Sequence, residues 1–161
     1  MSTQTIELSQ KVGARLQAYG WMLATAESCT GGGIAEAITA IAGSSSWFDR
    51  GFVTYSNAAK IQMLGVAPDT IERFGAVSTE TARAMSAGAL SNSQADWAIA
   101  VTGIAGPSGG TMIKPVGTVF LSWQKRGGEA KVTRRQFAGD RHHIRLSTIE
   151  FALATWLELT E

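Results

Sequence analysis

Apolar residues along this chain recur either at helical spacing or in short unbroken runs, and the order of these two patterns predicts the elements. Ile6, Leu8, Val12 and Leu16 space as one face of an amphipathic helix over 4–19, closed by Gly20. The run over 21–27, WMLATAE, has the length of a buried strand, and a helical pattern follows from about Gly32 to Ile41. IAGSSSWFDR reads as a Gly/Ser loop carrying Trp47 and Phe48. GFVTYS, 51–56, alternates and is rich in β-formers, which predicts a second strand. NAAKIQMLG predicts a short helix with Asn57 as its N-cap and Gly65 as its stop.

Pro68 opens a further turn of helix, and Ser78 with the glutamate behind it predicts a capping box for a helix over 78–90. DWAIAVTG, 96–103, is apolar throughout, as in a strand covered on both faces. VGTVFLSW and AKVTRRQF are two more strands, joined where Gly127-Gly128 suits a hairpin turn. An amphipathic helix from about Arg141 to Leu159 closes the pattern. Helices before, between and after strands predict one α/β/α sandwich domain over 1–161. Its sheet is mixed: parallel where helices intervene, antiparallel at the hairpin.

Bulk properties narrow the function classes. A length of 161 residues suits one domain with a core of ordinary size. The net charge is +1 and the basic residues are dispersed, which argues against nucleic acid or a charged membrane surface as partner. No apolar run approaches the ~20 residues of a membrane span, and the N-terminal MSTQTIELSQ lacks a secretory apolar region, so a cytoplasmic protein is expected. One cysteine forms no internal disulfide, and no Cys/His/Glu set has zinc-ligand spacing. Eighteen glycines against three prolines, without a repeat, point to tight loops where backbone approaches something closely.

Three strand ends carry polar or glycine-rich sequence, ESCTGGG, TYSNAAK and TGIAGPSGG, and in open α/β sheets ligands bind beyond such ends. Counted from Asn57, Lys60 falls at N3, where the ~+0.5 charge of a helix N-terminus disfavours a cation and pushes the amine toward the neutral, basic form. A solvated surface lysine is the plainer reading of the same residue. Ser28 stands at a strand-to-helix joint, where the N–H groups of Thr30, Gly31 and Gly32 would hold an oxyanion; an N-cap role is the plainer alternative. Cys29 is a rival nucleophile if His142 or His143 reaches it, and otherwise a small buried side chain. Thr102 and Gly103 end a strand and offer a hydroxyl and an N–H, with Gly106 in the same loop. Tyr55 sits five residues ahead of Lys60. Arg141 and Arg145 are four apart on one helix face and suit a phosphate or carboxylate, unless Asp140 merely caps the helix and both are solvated. Together these residues describe acyl transfer by a Ser–Lys pair. Neither SxxK nor GxSxG occurs.

TAESCTGG, AGSSSWFDRGFVTYSNAAK, GAVS, TGIAGPSGG, KPVGTV and GDR, in this order, resemble the C-terminal domain family of the competence-damage protein CinA, most closely its stand-alone nicotinamide-nucleotide amidases. The resemblance spans nearly the whole chain. It implies deamidation of nicotinamide mononucleotide to nicotinic acid mononucleotide and ammonia, a step of pyridine-nucleotide salvage. It also implies Ser28 as nucleophile, Lys60 as base, Tyr55 and Thr102 close by, no metal or organic cofactor, and a homo-oligomer, commonly a dimer. The chain departs from the family pattern at Thr111-Met112-Ile113 and at His142-His143. A non-catalytic or weakly active nucleotide-binding relative is the alternative reading.

Overall fold

The unbroken apolar segments form the middle of one sheet. In the computed structural model, which describes residues 1–161, β1 (Leu23–Glu27) pairs parallel with β2 (Phe48–Val53) on one side and with β3 (Trp97–Gly103) on the other. β4 (Thr118–Lys125) and β5 (Lys131–Gln136) extend the sheet as an antiparallel hairpin, giving the order β2-β1-β3-β4-β5. The chain leaves β1 through α2 (Gly33–Thr39) to β2, then returns past β1 through α3 (Asn57–Leu64), α4 (Pro68–Phe74) and α5 (Thr79–Ser91) to β3. Strand order therefore reverses at β1, and its carboxyl end is a topological switch point, where α/β folds bind ligands. No helix is long and apolar enough to cross a membrane.

The pleat sends large and small side chains to different faces. Leu23, Ile99, Val101 and Leu121 join Val12 and Leu16 of α1 (Thr3–Tyr19), Ile34 and Ile38 of α2, and Leu153 and Trp156 of α6 (Arg141–Leu159) in the larger core. Ala24, Ala26, Ala98 and Ala100 face Leu64 of α3 and Met85 and Ala89 of α5. An alanine-lined sheet lets α5 lie close. At Gly88 the missing Cβ makes room for the Leu64 carbonyl at the end of α3, into which an added methyl would collide. This contact draws α3, and with it Lys60, down onto the sheet.

Local pattern and tertiary pairing disagree in three places. β2 begins at Phe48, three residues before the expected alternation, because parallel pairing with Leu23 recruits residues that read as loop. Ser44–Ser46 is a 3-10 turn, and Thr54 and Tyr55 lie past the strand end. In α1 the inward row is Thr5, Ser9, Val12 and Leu16, while Ile6 faces out; Thr5 reaches inward because its hydroxyl donates to Glu150 of α6 at 2.9 Å. Ser78 caps α5 by accepting from Thr81 N at 3.1 Å, but the glutamate, Glu80, sits at N2 and no capping box forms. Thr81 holds N3, and its hydroxyl donates to the Gly75 carbonyl at 2.7 Å.

Gly88→Ala should lower unfolding stability by about 1–3 kcal/mol or more, the usual cost of overpacking a closed contact. Urea denaturation measures it against Gly128→Ala in the hairpin turn, where the nearest atom to an added Cβ is 3.4 Å away and little change is expected.

Candidate active site

Glu27, the last residue of β1, and Ser28, the first residue past it, point their side chains to opposite sides of the sheet. Glu27 turns toward α2 and Ser28 toward α3, where Lys60 meets it with Nζ 3.1 Å from Oγ. Lys60 is 2 % exposed, and its other hydrogen-bond acceptors are the carbonyls of Thr54 at 3.0 Å and Tyr55 at 3.3 Å. Two carbonyls can only accept. In the neutral amine they take both N–H groups and leave the nitrogen lone pair to Ser28, whose O–H then donates to it. Burial holds the Lys60 amine below its ordinary value. The lysine sits one position further into its helix than expected. Ser56, not Asn57, is the N-cap, with an extended backbone and a side chain that accepts from Ala59 N at 3.0 Å. Desolvation, rather than a helix-end charge at N3, is therefore the main cause of the shift.

Ser28 and Lys60 open on a cavity of about 270 Å³ that Tyr55, Thr102, Gly103, Gly106 and Arg141 also line. The three polar strand ends do converge. Thr102 is buried and donates to the Ala76 carbonyl at 2.8 Å, tying the loop ahead of α5 to the end of β3. Arg141 spans the mouth: one guanidinium nitrogen donates to the Gly106 carbonyl at 2.7 Å, the other to the exposed Tyr55 hydroxyl at 2.9 Å. Asn57, released from capping, lines the cavity as well.

Thr30, Gly31, Gly32 and Arg145 stay outside it. Arg145 donates to the carbonyls of Cys29 and Thr30, both at 3.1 Å, from the α6 side, so it grips the turn and not the cavity. The Gly31 amide is taken by the Ser28 carbonyl at 2.9 Å, and the Thr30 hydroxyl by Glu27 at 2.6 Å. Gly32 backs the same carboxylate. Of the amides following Ser28, that of Cys29 belongs to a residue lining the cavity and has no partner in the chain beyond that residue's own Sγ. Glu27, which the motif reading passed over, also accepts from Ile34 N at 2.8 Å and Ala35 N at 3.0 Å. An acidic residue ending a buried apolar run was the signal, since such a charge needs partners. Its carboxyl is raised by burial, against the lowering effect of the Thr30 hydroxyl and the α2 amides.

The thiol alternative loses its footing. Burial, then the nearby Glu27 charge, pushes Cys29 up to about 12, so the thiol stays protonated. His143 bonds Asp140 at 2.7 Å on the surface, and His142 lines a separate cavity beside Glu36.

A family model described as CinA C-terminal domain matches residues 5–160. The chain belongs to the CinA C-terminal domain family. It is 54% identical over 151 residues to the nicotinamide-nucleotide amidohydrolase PncC of Enterobacter agglomerans, covering 94% of this chain and 92% of that one. It is 49% identical over 153 residues to the protein of the same name from Escherichia coli K12, covering 95% and 93%. The crystal structure of the competence/damage inducible protein CihA from Agrobacterium tumefaciens superposes with a TM-score of 0.97 at 47% identity, over 100% of this chain and 98% of that one. The mixed α/β fold expected from the sequence is thus that of solved CinA-superfamily proteins.

Within this CinA C-terminal domain, Lys60→Met should raise stability near neutral pH. The folded Lys60 value lies below the ordinary ~10.4, so between the two the unfolded chain holds a proton that the folded chain lacks, and wild-type stability climbs with pH across that window. The advantage of methionine should therefore shrink toward pH 10, as urea titrations at several pH values would record. Glu27→Ala should cost at least about 3 kcal/mol, because three donors lose their acceptor at ~1–3 kcal/mol each.

Proposed function

We propose that this chain hydrolyses the carboxamide of nicotinamide mononucleotide, releasing ammonia and nicotinic acid mononucleotide through a Ser28 acyl-enzyme, as a step in pyridine-nucleotide salvage. The observation that carries the mechanism is the buried 3.1 Å contact between Lys60 Nζ and Ser28 Oγ. The substrate follows from the activity named for relatives that are half identical over nearly their full length.

Neutral Lys60 takes the Ser28 proton as Oγ attacks the carboxamide carbon. The carbonyl π electrons move onto oxygen, and the Cys29 amide faces that developing charge. The Thr54 and Tyr55 carbonyls stabilise the lysine while it is an ammonium. Collapse of the intermediate expels the amine, which takes the proton back from Lys60 and departs as ammonia. Water, deprotonated by the same lysine, then cleaves the ester. A positioned base of this kind contributes ~10²–10⁴-fold, and an oxyanion donor ~10²–10³-fold. At the mouth Arg141 is the cation placed to meet a phosphate, exchanging its protein acceptors for phosphate oxygens.

Ammonia release from nicotinamide mononucleotide should vanish in Ser28→Ala and in Lys60→Met while both variants stay folded. Full activity in either rules out the mechanism, and ligand-dependent melting of the wild type without turnover marks a binding protein instead. The wild-type rate should rise with pH through a value below the ordinary lysine ~10.4, since the base must be neutral.

A further inference from the structure

Arg145 turns its guanidinium onto the backbone of the Cys29–Thr30 turn and also lines a second cavity beside His142 and Glu36. It is on α6, half-buried, outside the cavity that Ser28, Cys29 and Arg141 line. Its Nε and Nη2 each hold a carbonyl of the turn after the nucleophile, at 3.1 Å from Cys29 O and 3.1 Å from Thr30 O. Gly31 brings its backbone against the guanidinium: an added Cβ would stand 3.3 Å from Nη2, and its φ of +60° is one that side chains disfavour.

In a trans peptide the carbonyl and the following amide point in opposite directions. The peptide whose carbonyl belongs to Thr30 carries the Gly31 N–H, which donates to the Ser28 carbonyl at 2.9 Å. The peptide whose carbonyl belongs to Ser28 carries the Cys29 N–H, which belongs to a residue lining the cavity and has no partner in the chain beyond that residue's own Sγ. A cation at one end of such a chain of hydrogen bonds polarises every member. We infer that Arg145 is a positioning residue: through the Thr30–Gly31 and Ser28–Cys29 peptides it aims and polarises the Cys29 amide as oxyanion donor, and it does not touch the substrate's phosphate. The inference rests on the Ser28 acyl-enzyme reading. Arg141 and Arg145, one turn apart on α6, thus do separate work, one at the mouth and one behind the nucleophile.

The test compares wild type, Arg145→Met and Arg145→Lys on nicotinamide mononucleotide and on the riboside, which carries the same carboxamide without phosphate. In parallel, the rate at which a fluorophosphonate probe phosphonylates Ser28 is followed by mass spectrometry, because its P–O oxygen occupies the oxyanion position. Arg145→Met should lower kcat about 10–100-fold on both substrates, a fraction of the ~10²–10³ lost with an entire oxyanion donor, with KM little changed. Phosphonylation should slow by a similar factor. Arg145→Lys, able to reach one carbonyl, should fall between, which a purely structural role judged by melting temperature would not produce. A raised KM for the mononucleotide alone, with the riboside unaffected, would make Arg145 the phosphate ligand and overturn the inference; so would unchanged kcat and labelling. If the wild type releases no ammonia from either compound, the substrate assignment fails, yet the labelling ratio still decides the role of Arg145. Absence of wild-type labelling at Ser28 overturns the relay together with the nucleophile.

Discussion

Lys60 places its amine 3.1 Å from the Ser28 hydroxyl, 2 % exposed, with only two backbone carbonyls as further partners and no carboxylate bonded to it. A charged ammonium in that setting has given up most of its hydration for uncharged acceptors, so the site favours the neutral form. The same desolvation lowers the proton affinity of the nitrogen and makes it a liability to the fold. Both consequences come from one buried atom, which is why activity and stability should respond oppositely to its removal.

The rest of the architecture serves to bring that amine and that hydroxyl together from different segments. Reversal of strand order at β1 opens a crevice at its carboxyl end. Alanines on one face of β1 and β3, and a glycine at 88, let α3 and α5 approach closely enough to carry Lys60 over the end of the sheet. On the opposite face Glu27 and Arg145 hold the turn that displays Ser28, one through its side-chain and amide donors and the other through its carbonyls. Ser28 is therefore supported from both sides of the sheet, and each support is buried or half-buried.

Much of this was legible in the residue pattern. Continuous apolar runs marked β1 and β3, left-handed glycines marked the ends of α1 and α3, and polar strand ends marked the crevice. Ser28 and Lys60 stood out because a hydroxyl at a strand-to-helix joint and an unpartnered lysine early in a helix are both chemically conspicuous. What the pattern could not supply was direction. Ser56 and Asn57 are both competent caps, and only the backbone conformation decides that Ser56 serves and Asn57 faces the cavity. Arg141 and Arg145 share a helix face, yet tertiary contacts send one to the mouth and the other behind the turn. Phe48 to Arg50 read as loop locally and become strand because β1 is there to pair with them.

The most direct test of the buried neutral amine is an NMR titration of Lys60 with labelled side-chain carbon and nitrogen, read in the unliganded protein. Desolvation of the amine predicts a midpoint below the ordinary ~10.4, moving back toward it when surrounding burial is relieved. A Lys60 resonance that titrates like the exposed lysines would contradict it.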